Sequence, residues 1–447
     1  CKRVAQALFS NLKSQISNLK SQISNLKSQI SNLKSQISNL KSPAALVGEN
    51  EAACYEAAGA ACTLRGRLAA VCSFASSVCP MHFQNVCIEA IGACLPEEVW
   101  SSEQVEAHLA PLYQRLRLPE GRLALMSGIH ERRVWQPGTL PSEPSIRSGL
   151  AALSASSIDA SQVGCLIHAS VCRDFLEPAT ASRVHHGLGL PEDCWVYDVS
   201  NACLGLLNGV VQIATLIESG AIPAGLVVGT ENSRPLLEQT IAHLNADETL
   251  TRRSVKPAFA SLTIGSGSCA FLLAHRDLSP TGSPLEFAIA KARTAFHDLC
   301  RSDQDSAGAS MTPLMDTDSE RLLHEGVATG AAAFATFLED SGWSRQDIDR
   351  SVCHQVGGKH RGLMLEAMQL PVERDVATFP WLGNTGSVAL PLSLAAGAYW
   401  NQIQSGQRVG LFGIGSGINS VMLGCQWRST RVAGNFPASE PQYQDVA

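Results

Sequence analysis

Ser157-Ile-Asp-Ala-Ser-Gln-Val-Gly-Cys-Leu-Ile-His168 and Asp347-Ile-Asp-Arg-Ser-Val-Cys-His354 share one plan: an acidic loop, a short apolar strand, then histidine. The likeness extends downstream of each. Leu190-Pro191 precedes Cys203, with Leu190 13 residues before it, and Leu370-Pro371 precedes Asn384, with Leu370 14 residues before it. A helix-length segment follows each, and then a glycine-rich strand, Gly225-Leu-Val-Val-Gly229 in one case and Gly410-Leu-Phe-Gly413 in the other. Three matches in the same order imply two related halves offset by roughly 180–190 residues. Short apolar strands alternate with helical stretches from Met81 onward, so each half is α/β.

Such a duplication has a chemical consequence. Two pseudo-symmetric halves can bring their strand-to-helix turns together, so that Cys203 and Asn384 face one another. The ends of strands are where α/β folds carry their chemistry.

The bulk numbers fit one large globular protein. The chain has 447 residues, 45% hydrophobic and 17% charged, with net charge −6. That charge offers no electrostatic reason to bind nucleic acid or an anionic membrane. Apolar runs are broken within about a dozen residues, short of a membrane span. The 15 cysteines include no C-x-x-C pair, so neither a zinc site nor a redox dithiol is indicated and no metal is expected. Reduced thiols in a cytoplasmic protein are the expectation.

Residues 10–42 repeat Ser-Asn-Leu-Lys-Ser-Gln-Ile, formally an a/d heptad pattern. The heptads are identical, as a translated tandem repeat would be, and lysine is their only charge. Residues 1–80 are therefore expected to lie outside the fold, with Met81 the true start. Residues 81–280 form the first half, 281–428 the second, and 429–447 a disordered tail.

Cys203 lies in Tyr197-Asp-Val-Ser-Asn-Ala-Cys203-Leu-Gly205. A strand over 194–199 leads into this turn, and an almost wholly apolar helix over 204–218 leaves it. A cysteine at a helix N-terminus feels the positive end of the helix dipole, which predicts a lowered thiol pKa. His354-Gln355 follows a strand, and Gly383-Asn384-Thr385-Gly386-Ser387 carries the amide. The loop Gly413-Ile-Gly415-Ser416-Gly417-Ile-Asn419 lacks the helix and ribose-binding acid of a dinucleotide site. His360, His185 and His186 lack a comparable partner and read as surface or structural.

Asn-Ala-Cys-Leu-Gly, His-Gln and Gly-Asn-Thr-Gly-Ser, in this order and with 30 residues from His354 to Asn384, resemble the Cys–His–Asn set of 3-oxoacyl-[acyl-carrier-protein] synthase III and its relatives. The resemblance covers Met81 to Trp427. It implies the thiolase fold, two halves in a layered αβαβα arrangement, with Cys203 as nucleophile and His354 and Asn384 donating to the thioester oxygen. It also places Gly415, Ser416 and Gly417 beside the nucleophile, and Arg132 and Arg133 as the basic pair that meets CoA phosphates. Degradative thiolases carry a second cysteine before these glycines. Leu411 and Phe412 stand there instead.

Within this superfamily, Arg173-Asp174-Phe-Leu-Glu177-Pro178 and Gly128-Ile-His-Glu-Arg-Arg133 resemble the head-to-head acyl-CoA condensing enzymes of bacterial long-chain olefin synthesis (OleA). That resemblance implies non-decarboxylative joining of two fatty acyl-CoAs, with Glu177 as the base. It further implies a homodimer in which Glu177 reaches the neighbouring subunit's site, and CoA or acyl-carrier-protein thioesters as substrates with no cofactor. Two alternatives stand beside it: a decarboxylating synthase III, and an idle scaffold that assembles through its heptad arm. The glycines of His354-Gln-Val-Gly357-Gly358 depart from the olefin family's pattern.

Overall fold

The computed structural model of the chain describes residues 80–279, 282–302 and 315–443. The heptad repeat and the expectations for residues 1–79 fall outside them.

In the first half, β1 (Met81–His82), β2 (Val86–Cys94), β3 (Glu98–Ser101), β4 (Glu131–Val134), β5 (Val163–Ala169), β6 (Trp195–Val199), β7 (Ala224–Glu231) and β8 (Gly267–His275) follow one another. Five of them form a mixed sheet in the order β6-β5-β7-β8-β2. β5 runs parallel to β6 and β7, while β8 is antiparallel to β7 and β2. β2 and β7 are buried at every residue, as near-continuous apolar runs require.

The second half contributes β9 (Ser283–Ala292), β10 (Cys300–Ser302), β11 (Met315–Thr317), β12 (Arg350–Cys353), β13 (Arg408–Gly415), β14 (Asn419–Gln426) and β15 (Arg431–Gly434). Its order β12-β13-β14-β9 repeats the first, with β12 parallel to β13 and antiparallel pairs beyond. A parallel bridge from Ser351 to Asp375 stands where β6 stands in the first half. A 3-10 turn also precedes each corresponding strand, Ala160–Gln162 before β5 and Arg345–Asp347 before β12. The duplication is thus present in strand order and direction.

The helices complete five layers. α1 (Ser142–Ala155) and α2 (Thr180–Leu188) cover the outer face of the first sheet, and α3 (Gly205–Glu218) lies on its inner face. In the second half α4 (Ser319–Ser341) and α5 (Gly358–Met368) lie outside, and α6 (Ala389–Tyr399) lies within. α6 is buried continuously from Ala389 to Gly397, the mark of a helix enclosed on all sides. Side chains of α3 and α6 share one core with strands of both sheets.

Two expectations are corrected. The tail is ordered through Tyr443: β15 pairs in parallel with β2, and the Asn435 side chain bonds both Leu95 N–H (2.7 Å) and Leu95 C=O (2.8 Å). Phe436 is buried against Tyr399 and Trp400. Polar, proline-containing composition had suggested fraying, but backbone pairing at a sheet edge does not depend on apolar side chains. The halves also exchange their ends. β1 pairs with β9 of the second half, while β15 joins the first sheet.

Candidate active site

β6 delivers the chain into a tight turn, Ser200–Leu204, before α3 begins. Ala202 has φ 44°, in the left-handed region that costs a residue with a Cβ, and this sharp bend presents Cys203 at the head of α3. The backbone N–H groups of Ser416 and of Cys203 itself are directed at the sulfur. The glycine-rich loop after β13 therefore lies beside Cys203, where a Cβ at Gly415 would stand 3.6 Å from Cys203 N.

The protonation expectation fails. Burial pushes the Cys203 thiol up to about 12, and Cys300 and Glu231 add to the rise; only the two N–H groups oppose it. The dipole at the helix end is a local effect, and desolvation by the surrounding halves outweighs it.

His354 follows the last residue of β12 and is buried, with its backbone N–H donating to Phe412 C=O at 3.0 Å. Burial, aided by His360, pulls its pKa down to about 3, so its imidazole is neutral at physiological pH. The ring Nδ1 has no hydrogen-bond partner among the described residues. β13 passes His354 at Phe412 and ends at Gly415, one residue before the Ser416 N–H that faces Cys203. One strand therefore connects the surroundings of the two.

Asn384 is likewise buried. Its backbone is held in both directions, N–H to Thr263 C=O and C=O to Gly265 N–H, each 2.9 Å. Its side-chain Oδ1 accepts from Gly386 N–H at 3.0 Å. This assigns the amide orientation: oxygen turned back to its own turn, with Nδ2 left as a donor.

Sequence reasoning missed three contributors. Gln355 accepts from Thr378 N–H (2.8 Å) and Phe379 N–H (3.1 Å), fastening the segment that leads to Asn384. His360, read as partnerless, is desolvated, with a pKa lowered to about 4, and acts electrostatically on His354. Glu231, at the end of β7, is buried near Cys203. An acid closing an otherwise apolar strand was the available signal for Glu231.

The basic pair is also corrected. Arg132 is fully buried, its guanidinium donating to Ser102 Oγ (3.1 Å) and Trp100 C=O (3.4 Å), so it cannot meet a phosphate at the surface. Arg133 is half-buried and lies 5.9 Å from the Trp381 ring, with one N–H given to Pro96 C=O. Neighbours on β4 point to opposite faces. Glu177 is exposed and bonded to no other described residue, within a loop whose Val171, Phe175 and Leu176 are 47%, 54% and 50% exposed. Within one chain it does not join the Cys203 cluster. His185 bonds Pro191 C=O at 3.0 Å, a structural role, and His186 is exposed.

Comparisons with known proteins identify the family. The family described as 3-oxoacyl-[acyl-carrier-protein (ACP)] synthase III C terminal matches residues 338–427. An acyl-CoA:acyl-CoA alkyltransferase of Shewanella oneidensis is 37% identical over 351 residues, spanning 78% of this chain and 100% of the relative. The chain belongs to the acyl-CoA:acyl-CoA alkyltransferase (OleA) family. A crystal structure of Xanthomonas campestris OleA with bound lauric acid and lauroyl-CoA superposes with TM-score 0.73 at 30% identity, covering 77% of this chain and 100% of that one. A β-ketoacyl-[acyl-carrier-protein] synthase III of Pseudomonas aeruginosa is 27% identical over 343 residues, covering 75% of this chain and 95% of that one. Like other members of the OleA family, the chain is an acyltransferase, a condensing enzyme of the thiolase fold. No helix among the described residues is long and apolar enough to cross a membrane.

Proposed function

We propose that the protein joins two fatty acyl-CoAs without decarboxylation, through an acyl-enzyme on Cys203. The Cys203 sulfur attacks the first thioester carbonyl, the new C–S bond replaces the one to CoA, and the cysteine proton leaves with CoA as its thiol. The N–H groups of Cys203 and of Ser416, the latter in the Gly415–Gly417 loop, stabilise the carbonyl oxygen as it gains charge. A second acyl-CoA then loses an α-proton to Glu177. Its enolate attacks the acyl-Cys203 carbonyl, expels the cysteine sulfur and forms a β-ketoacyl-CoA. The proton taken by Glu177 returns to Cys203 through solvent.

The observation that carries this reading is the pair of unconsumed donors. The Gly386 N–H on Oδ1 fixes which end of the Asn384 amide is Nδ2, a donor with no hydrogen bond to another described residue, and His354 is held neutral by burial. Neutral N–H donors stabilise an enolate without surrendering a proton to it.

The reading makes the enzyme a homodimer, with Glu177 serving the partner subunit's site. Its support is the open edge of β6, where Trp195 is 58% exposed, together with the apolar loop carrying Glu177. Every cysteine among the described residues is unpaired, in keeping with a cytoplasmic site of action.

Purified protein supplied with fatty acyl-CoA alone tests the proposal. A β-keto product, or the ketone left by its decarboxylation, is expected. Product formed only when malonyl-carrier protein is added would instead establish the synthase III reaction. Mixing Cys203→Ala and Glu177→Ala proteins, each inactive alone, should restore activity through mixed dimers; failure to do so would remove the shared site.

A further inference from the structure

One buried carboxylate takes no part in these steps. Glu231 ends β7, and its Oε1 accepts three hydrogen bonds: from Val171 N–H (3.1 Å), Ser387 N–H (3.3 Å) and the Ser387 hydroxyl (2.5 Å). Val171 opens the loop that leads to Glu177, and Ser387 lies three residues beyond Asn384. Between Ser387 and Asn384 stands Gly386, with φ 55°, where a Cβ would lie 3.1 Å from Glu231 Cγ and 3.2 Å from its Cδ. Gly386 also supplies the N–H that orients the Asn384 amide. The carboxyl group therefore packs directly against the peptide that sets the position of Asn384.

The same side chain borders the sulfurs. It acts electrostatically on both the Cys172 and the Cys203 thiol. We infer that Glu231 is a positioning residue that clamps the loop leading to Glu177 onto the turn carrying Asn384, beside the Cys203 sulfur. This inference rests on the proposed function for the roles of Asn384 and Glu177. A carboxylate suits the task because one anionic oxygen holds several N–H and O–H donors more strongly than a neutral acceptor does. Asn384 is then held for the enolate rather than for the first acyl transfer. Loosening the clamp should therefore slow condensation more than acylation.

Glu231→Gln keeps the size and an acceptor oxygen and removes the charge. Ser387→Ala removes the hydroxyl donor and leaves the carboxylate. Condensation per acyl-enzyme formed, measured with fatty acyl-CoA, should fall roughly tenfold in each variant. The double variant should fall no further than the weaker single, because both changes open one clamp. Full activity in either single variant, or losses that multiply in the double, would overturn the inference.

A second measurement needs no substrate. Alkylation of Cys203 by iodoacetamide, followed by mass spectrometry of its peptide, gives a pH profile. The groups facing the sulfur are Glu231, Cys300 and the N–H groups of Ser416 and Cys203. In Glu231→Gln the profile should move to lower pH by about one unit, since a like charge is removed. An unmoved profile would place Glu231 away from the sulfur and sink the assignment. If the unaltered enzyme failed to condense acyl-CoA, the proposed function would fall, and the alkylation profile would still decide where Glu231 acts. Should Glu231→Gln not fold, Ser387→Ala carries the kinetic test.

Discussion

Replacing Gly265 by alanine should separate the two halves of the reaction. Gly265 donates its N–H to Asn384 C=O at 2.9 Å, so the two backbones run side by side. A Cβ at Gly265 would stand 1.8 Å from Leu382 C=O and 3.3 Å from Thr385 Cγ2. Relieving the first contact requires a backbone shift on the order of 1.5 Å to reach ordinary separation, and no flexible side chain can absorb it. The segment 382–385, which includes Asn384, is the part that must move. Overpacking of this kind costs about 1–3 kcal/mol of stability, which for a domain of this size lowers Tm by a few degrees. A displacement of about 1 Å in a positioning group costs about 100-fold in rate. Acyl-Cys203 formation, followed by intact mass, should stay within about threefold of the unaltered enzyme, because Cys203 and the Ser416 N–H belong to other segments. Condensation, followed by product mass spectrometry, should drop about 100-fold. A variant that melts as the unaltered enzyme does and condenses at its rate would show that Asn384 need not hold this position.

Stability should fall in acid through buried histidines. Burial lowers the pKa values of His168, His354 and His360 to about 4, 3 and 4. Their folded values lie below the unfolded value, so their contribution is complete above about pH 6.5 and is lost as pH falls toward 4; between pH 7 and 5 each should cost about 2 kcal/mol in urea melts, and His360→Gln should flatten that slope. Ending the chain after Thr430 removes β15, both Asn435 bonds to Leu95 and the buried Phe436, and should cost about 3 kcal/mol or more by the same assay. Phe337→Ala should cost about 3–5 kcal/mol, since the ring packs on Phe287, Phe334, Trp343 and Phe412 at the centre of the outer core of the second half. Its Tm would be unchanged only if that cluster closed around the cavity.

Much of the site was legible because it lies at punctuated turns. Cys203 and His354 each follow a strand and Asn384 precedes the central helix of its half, all in repeated units, and repetition makes a short motif specific. Glu231 was not legible in the same way. Nothing near it in sequence indicates that Val171 and Ser387 converge on its carboxylate from loops about 60 and 156 residues away. The Arg132–Arg133 pair was misjudged against a rule the sequence itself contains, for adjacent residues of a strand face opposite ways. Arg132 is therefore buried while Arg133 keeps some surface.

Periodicity, turn chemistry and internal repetition determined the class of fold, the order of strands and helices, and the position of the thiol at the head of an apolar helix. These are consequences of backbone geometry over a few residues, so the local sequence suffices. Tertiary structure alone decided the state of that thiol, the orientation of the Asn384 amide, the exposure of Glu177 and the docking of the tail. Desolvation and Coulomb energies depend on which distant segments close around a group. The helix dipole at Cys203 could be read from its neighbours, whereas the burial that overrides it could not.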